Sequence, residues 1–127
     1  MSDFVLDASA VLALINSEPG ADTVADAIAS ATISAVNFSE VVSRLAHSGM
    51  PGDAIRGAMQ LLSLDVTSFD EQQAHDAGLL RPSTRRHGLS LGDRCCLGLA
   101  RKLGLPAIKA DRAWADLGLD IDIRLIR

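Results

Sequence analysis

A chain of 127 residues, 48% apolar and without a proline-, glycine- or serine-rich linker, shows no compositional sign of disorder or of a domain boundary, so a single domain over 1–127 is expected. The balance of 16 acidic against 12 basic residues gives a net charge of −4 and excludes binding to nucleic acid through the overall field alone. No apolar run approaches the roughly 18 residues of a membrane span, which predicts a soluble chain with no membrane partner.

In chain order, the first strand candidate is Phe4-Val5-Leu6, followed directly by Asp7. The apolar stretch from Phe4 to Ile15 is interrupted by Asp7 and preceded by Asp3, a poor pattern for a signal peptide. Thr32-Ile33-Ser34 is the second strand candidate. Phe38, Val41, Val42 and Leu45 then repeat at helical spacing, as do Ile55, Ala58, Met59 and Leu62, predicting two amphipathic helices. Leu64-Asp65-Val66 reads as a third strand, and Asp70 to about Leu80 as a helix. A further helix is predicted from about Leu91 to Leu103, closed by Gly104, before strand candidates at Pro106-Ala107-Ile108 and from Ile121 to Ile126. Strands separated by helices imply right-handed crossovers and a mainly parallel sheet covered on both faces, a three-layer α/β domain.

In such folds ligands gather at the carboxyl edge of the strands, which gives the acidic residues meaning. Asp7 directly follows the first strand and Asp111 comes three residues after Ile108, while Glu40 and Asp93 lie near the starts of two helices. Carboxylates held together repel one another unless a divalent cation or a proton offsets the charge. Four oxygen donors suit Mg²⁺ or Mn²⁺, and a metal that keeps waters suits phosphodiester hydrolysis. Each acid also fits a second reading: Ser90-x-x-Asp93 and Asn37-x-x-Glu40 match capping boxes, and Asp7 and Asp111 match helix N-caps. Spacing alone leaves both readings open.

Ten of the twelve bases are arginine, and Arg81, Arg85, Arg86 and Arg94 bracket one segment, either a phosphate-contacting surface or a solvated helix end. Adjacent Cys95 and Cys96 suit neither a disulfide framework nor a zinc clip; at least Cys96 reads as a small core residue, and a reducing cytoplasm is the expected compartment. His47, His75 and His87 are widely separated and read as surface or helix-end residues. Trp114, beside Leu117, reads as packing rather than as a base-stacking platform.

Four segments carry a family resemblance. Val5-Leu6-Asp7-Ala8-Ser9-Ala10, Ser34 to Val41 with its glutamate, Leu89-Ser90-Leu91-Gly92-Asp93-Arg94 and Ala110-Asp111-Arg112-Ala113-Trp114 resemble, in order, the motifs of PIN domains, most closely those of the VapC-like toxins of VapBC toxin–antitoxin pairs. The resemblance implies a three-layer PIN fold, a Mg²⁺- or Mn²⁺-dependent endoribonuclease, a homodimer, and silencing by a VapB-like antitoxin. It assigns Asp7, Glu40, Asp93 and Asp111 as catalytic metal ligands and Ser9 as a support of the pocket, and leaves Asp116 outside the set. The alternatives are a PIN-like protein-binding module without chemistry and an aspartate-based phosphatase. The phosphatase is disfavoured because Asp7-Ala8-Ser9 lacks the second acid of an Asp-x-Asp motif. The sequence departs from the family at Lys109, where threonine or serine is usual. Its amine either enters the pocket and competes with the cation, or reaches solvent and meets RNA phosphate.

Overall fold

The computed structural model describes every residue except Met1, Asp111, Ala115 and Asp116, and the backbone alone at Ala113. Five strands, β1 (Phe4–Leu6), β2 (Ala31–Ser34), β3 (Asp65–Thr67), β4 (Ala107–Lys109) and β5 (Ile123–Leu125), form one sheet in the order β3-β2-β1-β4-β5 with every pairing parallel. Seven α-helices connect them among the described residues: α1 (Ala8–Ile15), α2 (Ala21–Ala27), α3 (Ala35–His47), α4 (Gly52–Leu62), α5 (Glu71–Leu79), α6 (Arg81–Thr84) and α7 (Leu91–Leu103).

The strands' two-residue alternation divides the core between the two faces of the sheet. Leu6, Ile33 and Ile108 pack with Val11, Val24, Val41, Leu45 and Met59 from α1 to α4. Val5 and Ala107, one residue earlier on β1 and β4, pack with Leu97, Leu99, Ala100, Trp114 and Leu117 on the other face. Each fully buried leucine, valine or isoleucine contributes on the order of 1.5–3 kcal/mol relative to exposure. The expected three-layer α/β/α arrangement is therefore present. Cys96 is fully buried, as expected, and Cys95 is buried beside it. Trp114 also takes the packing role, with none of its surface exposed.

Local chemistry sets the element ends. Asp70 caps α5 by accepting from Gln73 N at 2.9 Å. Gly104 ends α7 in the left-handed region at φ 66°, a conformation that glycine adopts without steric cost. One start differs from expectation: α3 begins at Ala35, capped by Ser34 Oγ accepting from Val36 N at 3.2 Å. Asn37 is therefore inside the helix and is not its cap. The apolar stretch after Asp7 becomes α1, whose alanines and valine pack too evenly to show an amphipathic stripe.

The strand order places the site. The chain leaves β1 for β2 on one side and returns to β4 on the other, so the carboxyl ends of β1 and β4 flank the point where the winding reverses. Such a switch point opens a crevice at the sheet edge. Directly after β1, Asp7 N–H still pairs with Ile108 C=O at 3.0 Å.

Candidate active site

Three of the four acids meet at this crevice. Asp7 caps α1, Glu40 sits in the second turn of α3, Asp93 sits in the first turn of α7, and all three line one cleft of about 710 Å³. Asp111 and Asp116 lie outside the described residues.

Each carboxylate is held by neighbours of its own. Asp7, only 4% exposed, receives the backbone N–H of Ser9 at 3.0 Å and the Ser9 hydroxyl at 2.5 Å on the same oxygen, Oδ2. Ser9 Oγ in turn accepts Ala110 N–H at 3.0 Å, tying the end of β1 to the end of β4. Asp93 forms the expected capping box: Ser90 N donates to its Oδ2 at 3.0 Å while Asp93 N donates to Ser90 Oγ at 3.1 Å. The cap and site readings of Asp93 are thus compatible, because its other oxygen, Oδ1, faces the cleft 3.7 Å from Lys109 Nζ.

Glu40 has a different seat. Asn37, fully buried, donates from Nδ2 both to Glu40 Oε1 at 2.7 Å and to the backbone carbonyl of Gly92 at 2.9 Å. Sequence reasoning treats Asn37 only as a cap and misses this clamp. Gly92 is missed as well: a Cβ there would lie 2.4 Å from Cδ, Oε1 and Oε2 of Glu40, so its bare backbone makes the space the carboxylate occupies. The available signal is a glycine in the first turn of a helix, where it costs about 0.5–1 kcal/mol relative to alanine unless space is required.

Burial pushes the Glu40 carboxyl above its ordinary range; the bond from Asn37 lowers it, the charges of Asp7 and Asp93 raise it further, and Arg44 lowers it slightly. The acids therefore act on one another through a common field. Lys109 answers that field directly. Its ammonium lies 3.4 Å from Asp7 Oδ2 and 3.7 Å from Asp93 Oδ1, 4.1 Å above the Trp114 ring, in a side chain buried from solvent. Of the two expectations for this amine, the structure realises the inward one.

One other expectation resolves differently. Arg94 is buried and donates from Nη1 to Ala77 C=O at 3.0 Å, so it anchors α7 to α5 and contributes nothing to a phosphate-facing surface. Its place four residues into a core helix explains this, since α7 presents nearly every residue from Arg94 to Ala100 to the interior. Arg81, Arg85 and Arg86 are exposed, as are His47, His75 and His87. His47 and Arg44 line the outer wall of the same cleft.

As donors, Asp7, Glu40 and Asp93 suit a hard divalent cation: oxygen ligands only, fixed by neighbours, with excess negative charge between them. Among the described residues, however, no three acidic, histidine or cysteine side chains form a ready metal cage.

The PIN domain family pattern matches residues 4–119, nearly the whole described fold. The chain belongs to the PIN domain family. No curated protein matches it in sequence. Among solved structures, this PIN domain is similar to a chain in the crystal structure of DNA-bound VapBC from Salmonella typhimurium, with a TM-score of 0.78 and 21% identity over 100% of both chains. It is also similar to a chain of VapBC-1 from nontypeable Haemophilus influenzae, at TM-score 0.74 and 17% identity over 97% of each chain. A third similarity is to VapBC2 from Rickettsia felis bound to a promoter DNA fragment, at TM-score 0.74 and 14% identity, covering 94% of this chain and 96% of that one. At these identities the likeness establishes a shared fold.

Proposed function

We propose that residues 1–127 act as a single PIN-domain endoribonuclease, the toxin of a toxin–antitoxin pair, with Asp7, Glu40, Asp93 and Asp111 as ligands of Mg²⁺ or Mn²⁺. The observation that carries this reading is the convergence of Asp7, Glu40 and Asp93 from three separate segments on one cleft at the sheet's switch point, each with a dedicated positioning partner. A protein-binding module without chemistry has no need of that arrangement.

When bound, the metal supplies a polarised phosphate oxygen and a water of lowered pKa. The chain's residues supply position. Ser9 fixes Asp7 and couples it to β4, Asn37 and Gly92 fix Glu40, and the capping box fixes one Asp93 oxygen so that the other faces the cleft. Exposed Arg44 on the cleft wall offers a guanidinium to a flanking phosphate of single-stranded RNA. Attack by water, not by the RNA's own 2′-hydroxyl, leaves 5′-phosphate and 3′-hydroxyl ends.

Several of the similar structures are described as VapBC or toxin–antitoxin complexes, which supports an antitoxin partner for this chain; a homodimeric toxin acting in the cytoplasm is the reading that the motif resemblance adds. No helix among the described residues is long and apolar enough to cross a membrane. Purified protein incubated with single-stranded RNA and Mn²⁺ is expected to yield 5′-phosphorylated fragments and to stop in EDTA. Cyclic phosphate ends, or full activity in excess EDTA, overturn the metal-hydrolysis reading. Growth arrest on expression, relieved by the small protein encoded beside it, tests the toxin assignment.

A further inference from the structure

Resting on the reading of the cleft as a divalent-metal site, we infer that Lys109 is a resident cation that competes with the metal for Asp7 and Asp93 and holds the site's metal affinity low. The last residue of β4 shares the pleat direction of Ala107, toward the face that contains Trp114, and the strand thereby aims a long side chain beneath the carboxyl edge of the sheet. A lysine stem is flexible enough to carry its charge to water wherever water is near. This residue is only 4% exposed, and among the described residues its ammonium is compensated by the Asp7 carboxylate at 3.4 Å, the Asp93 carboxylate at 3.7 Å and the indole face at 4.1 Å. Buried charges persist where such partners exist.

Asp7 Oδ2 and Asp93 Oδ1 belong to two of the three described acids of the cleft. An arriving cation needs the same lone pairs and feels the repulsion of a fixed positive charge beside them. A hydroxyl at this position would orient the acids without adding charge. The lysine instead pre-empts part of the negative field that draws a metal in. The same contacts hold the acids in place when metal is absent, so Lys109 stabilises the metal-free protein and weakens metal binding.

The test compares wild type, Lys109→Met, which keeps the stem and removes the charge, and Lys109→Arg, which keeps the charge. Mg²⁺ and Mn²⁺ are titrated calorimetrically and by melting temperature, neither of which depends on cleavage. The expected result is roughly tenfold tighter metal binding in Lys109→Met, equivalent to about 1.4 kcal/mol. A lower melting point without metal and a larger metal-induced rise should accompany it, while Lys109→Arg stays close to wild type. Wild type that binds metal together with unchanged or weaker affinity in Lys109→Met overturns the inference and leaves the metal-site reading standing. Absence of binding in both proteins overturns the two together. Should the methionine variant fail to fold, Lys109→Thr is read by the same criteria.

Discussion

Gly92→Ala is a substitution whose effects on stability and on function should separate. Gly92 is buried in the first turn of α7 with ordinary helical backbone, so alanine is conformationally acceptable and gains about 0.5–1 kcal/mol of helix propensity. Its Cβ, however, would lie 2.4 Å from the Glu40 carboxylate, against the roughly 3.5–4.0 Å of a relaxed contact. The carboxylate must therefore move by more than about 1 Å, and as the end of a flexible, half-buried side chain it can do so without disturbing the backbone. Moving it breaks the 2.7 Å bond from Asn37, a loss of about 1 kcal/mol net. The two terms nearly cancel, and the variant should unfold within about 1 kcal/mol of wild type. Activity should respond differently, because a misplacement of about 1 Å in a catalytic arrangement costs on the order of 100-fold. The assay pairs urea unfolding with Mn²⁺-dependent RNA cleavage and metal titration. In a Glu40→Gln background, Gly92→Ala should cause little further loss. A folded Gly92→Ala protein with wild-type cleavage and metal affinity would refute the argument that Glu40 works from its seat against Gly92.

Asp93→Asn should preserve the cap, since the amide oxygen can still accept from Ser90 N, yet lose cleavage by at least about 100-fold, the upper end of what even indirect changes at metal sites cause. Its metal-free melting temperature should not rise, because the removed charge is offset by Lys109 and not simply repelled by Asp7; a clear rise would show that repulsion dominates. Arg94→Ala should destabilise the fold by about 1–3 kcal/mol through the orphaned Ala77 carbonyl and leave the RNA affinity of the folded protein unchanged, as filter binding beside a denaturation curve would show. Cys95 and Cys96, buried and with thiols raised above their ordinary pKa chiefly by burial, should resist a disulfide reagent at pH 8 until denaturant is added.

The elements that the sequence discloses are those whose pattern is set locally. The α7 span from Leu91 to Leu103 is legible at both ends, because Ser90 and Asp93 cap one and Gly104 closes the other. The strand candidates fall within a few residues of β1 to β5 for the same reason, each lying between turn or cap residues. The helix α1 is obscured because Ala8 to Ile15 is apolar on nearly every face, and a helix buried that broadly has no stripe. Neither α2 nor α6 is disclosed, being seven and four residues long, below the length at which periodicity stands out. The start of α3 is misplaced because Ser34 both ends β2 and caps the helix, so the element begins before its first periodic apolar residue.

The same distinction separates the parts of the site. Asp7, Glu40 and Asp93 are found because acids at the ends of strands and helices are a local signal, and the fold class predicts which ends converge. Their positioning partners are not local. Asn37 reaches Gly92 across 55 residues and Lys109 reaches Asp7 across 102, so no spacing reports either contact. Asn37 illustrates how a local rule misleads: asparagine three residues before glutamate is a capping box if the helix starts there, and a pair of neighbours on one helical face if it has already begun. Which applies depends on Ser34, and only the register of β2 against β1 and β3 decides that. At Lys109 the motif shows a departure but cannot give its direction, since one residue more or less of β4 would turn the amine from the cleft to solvent. The acids of the cleft are therefore legible in one chain of letters, whereas the charge balance around them depends on strand register.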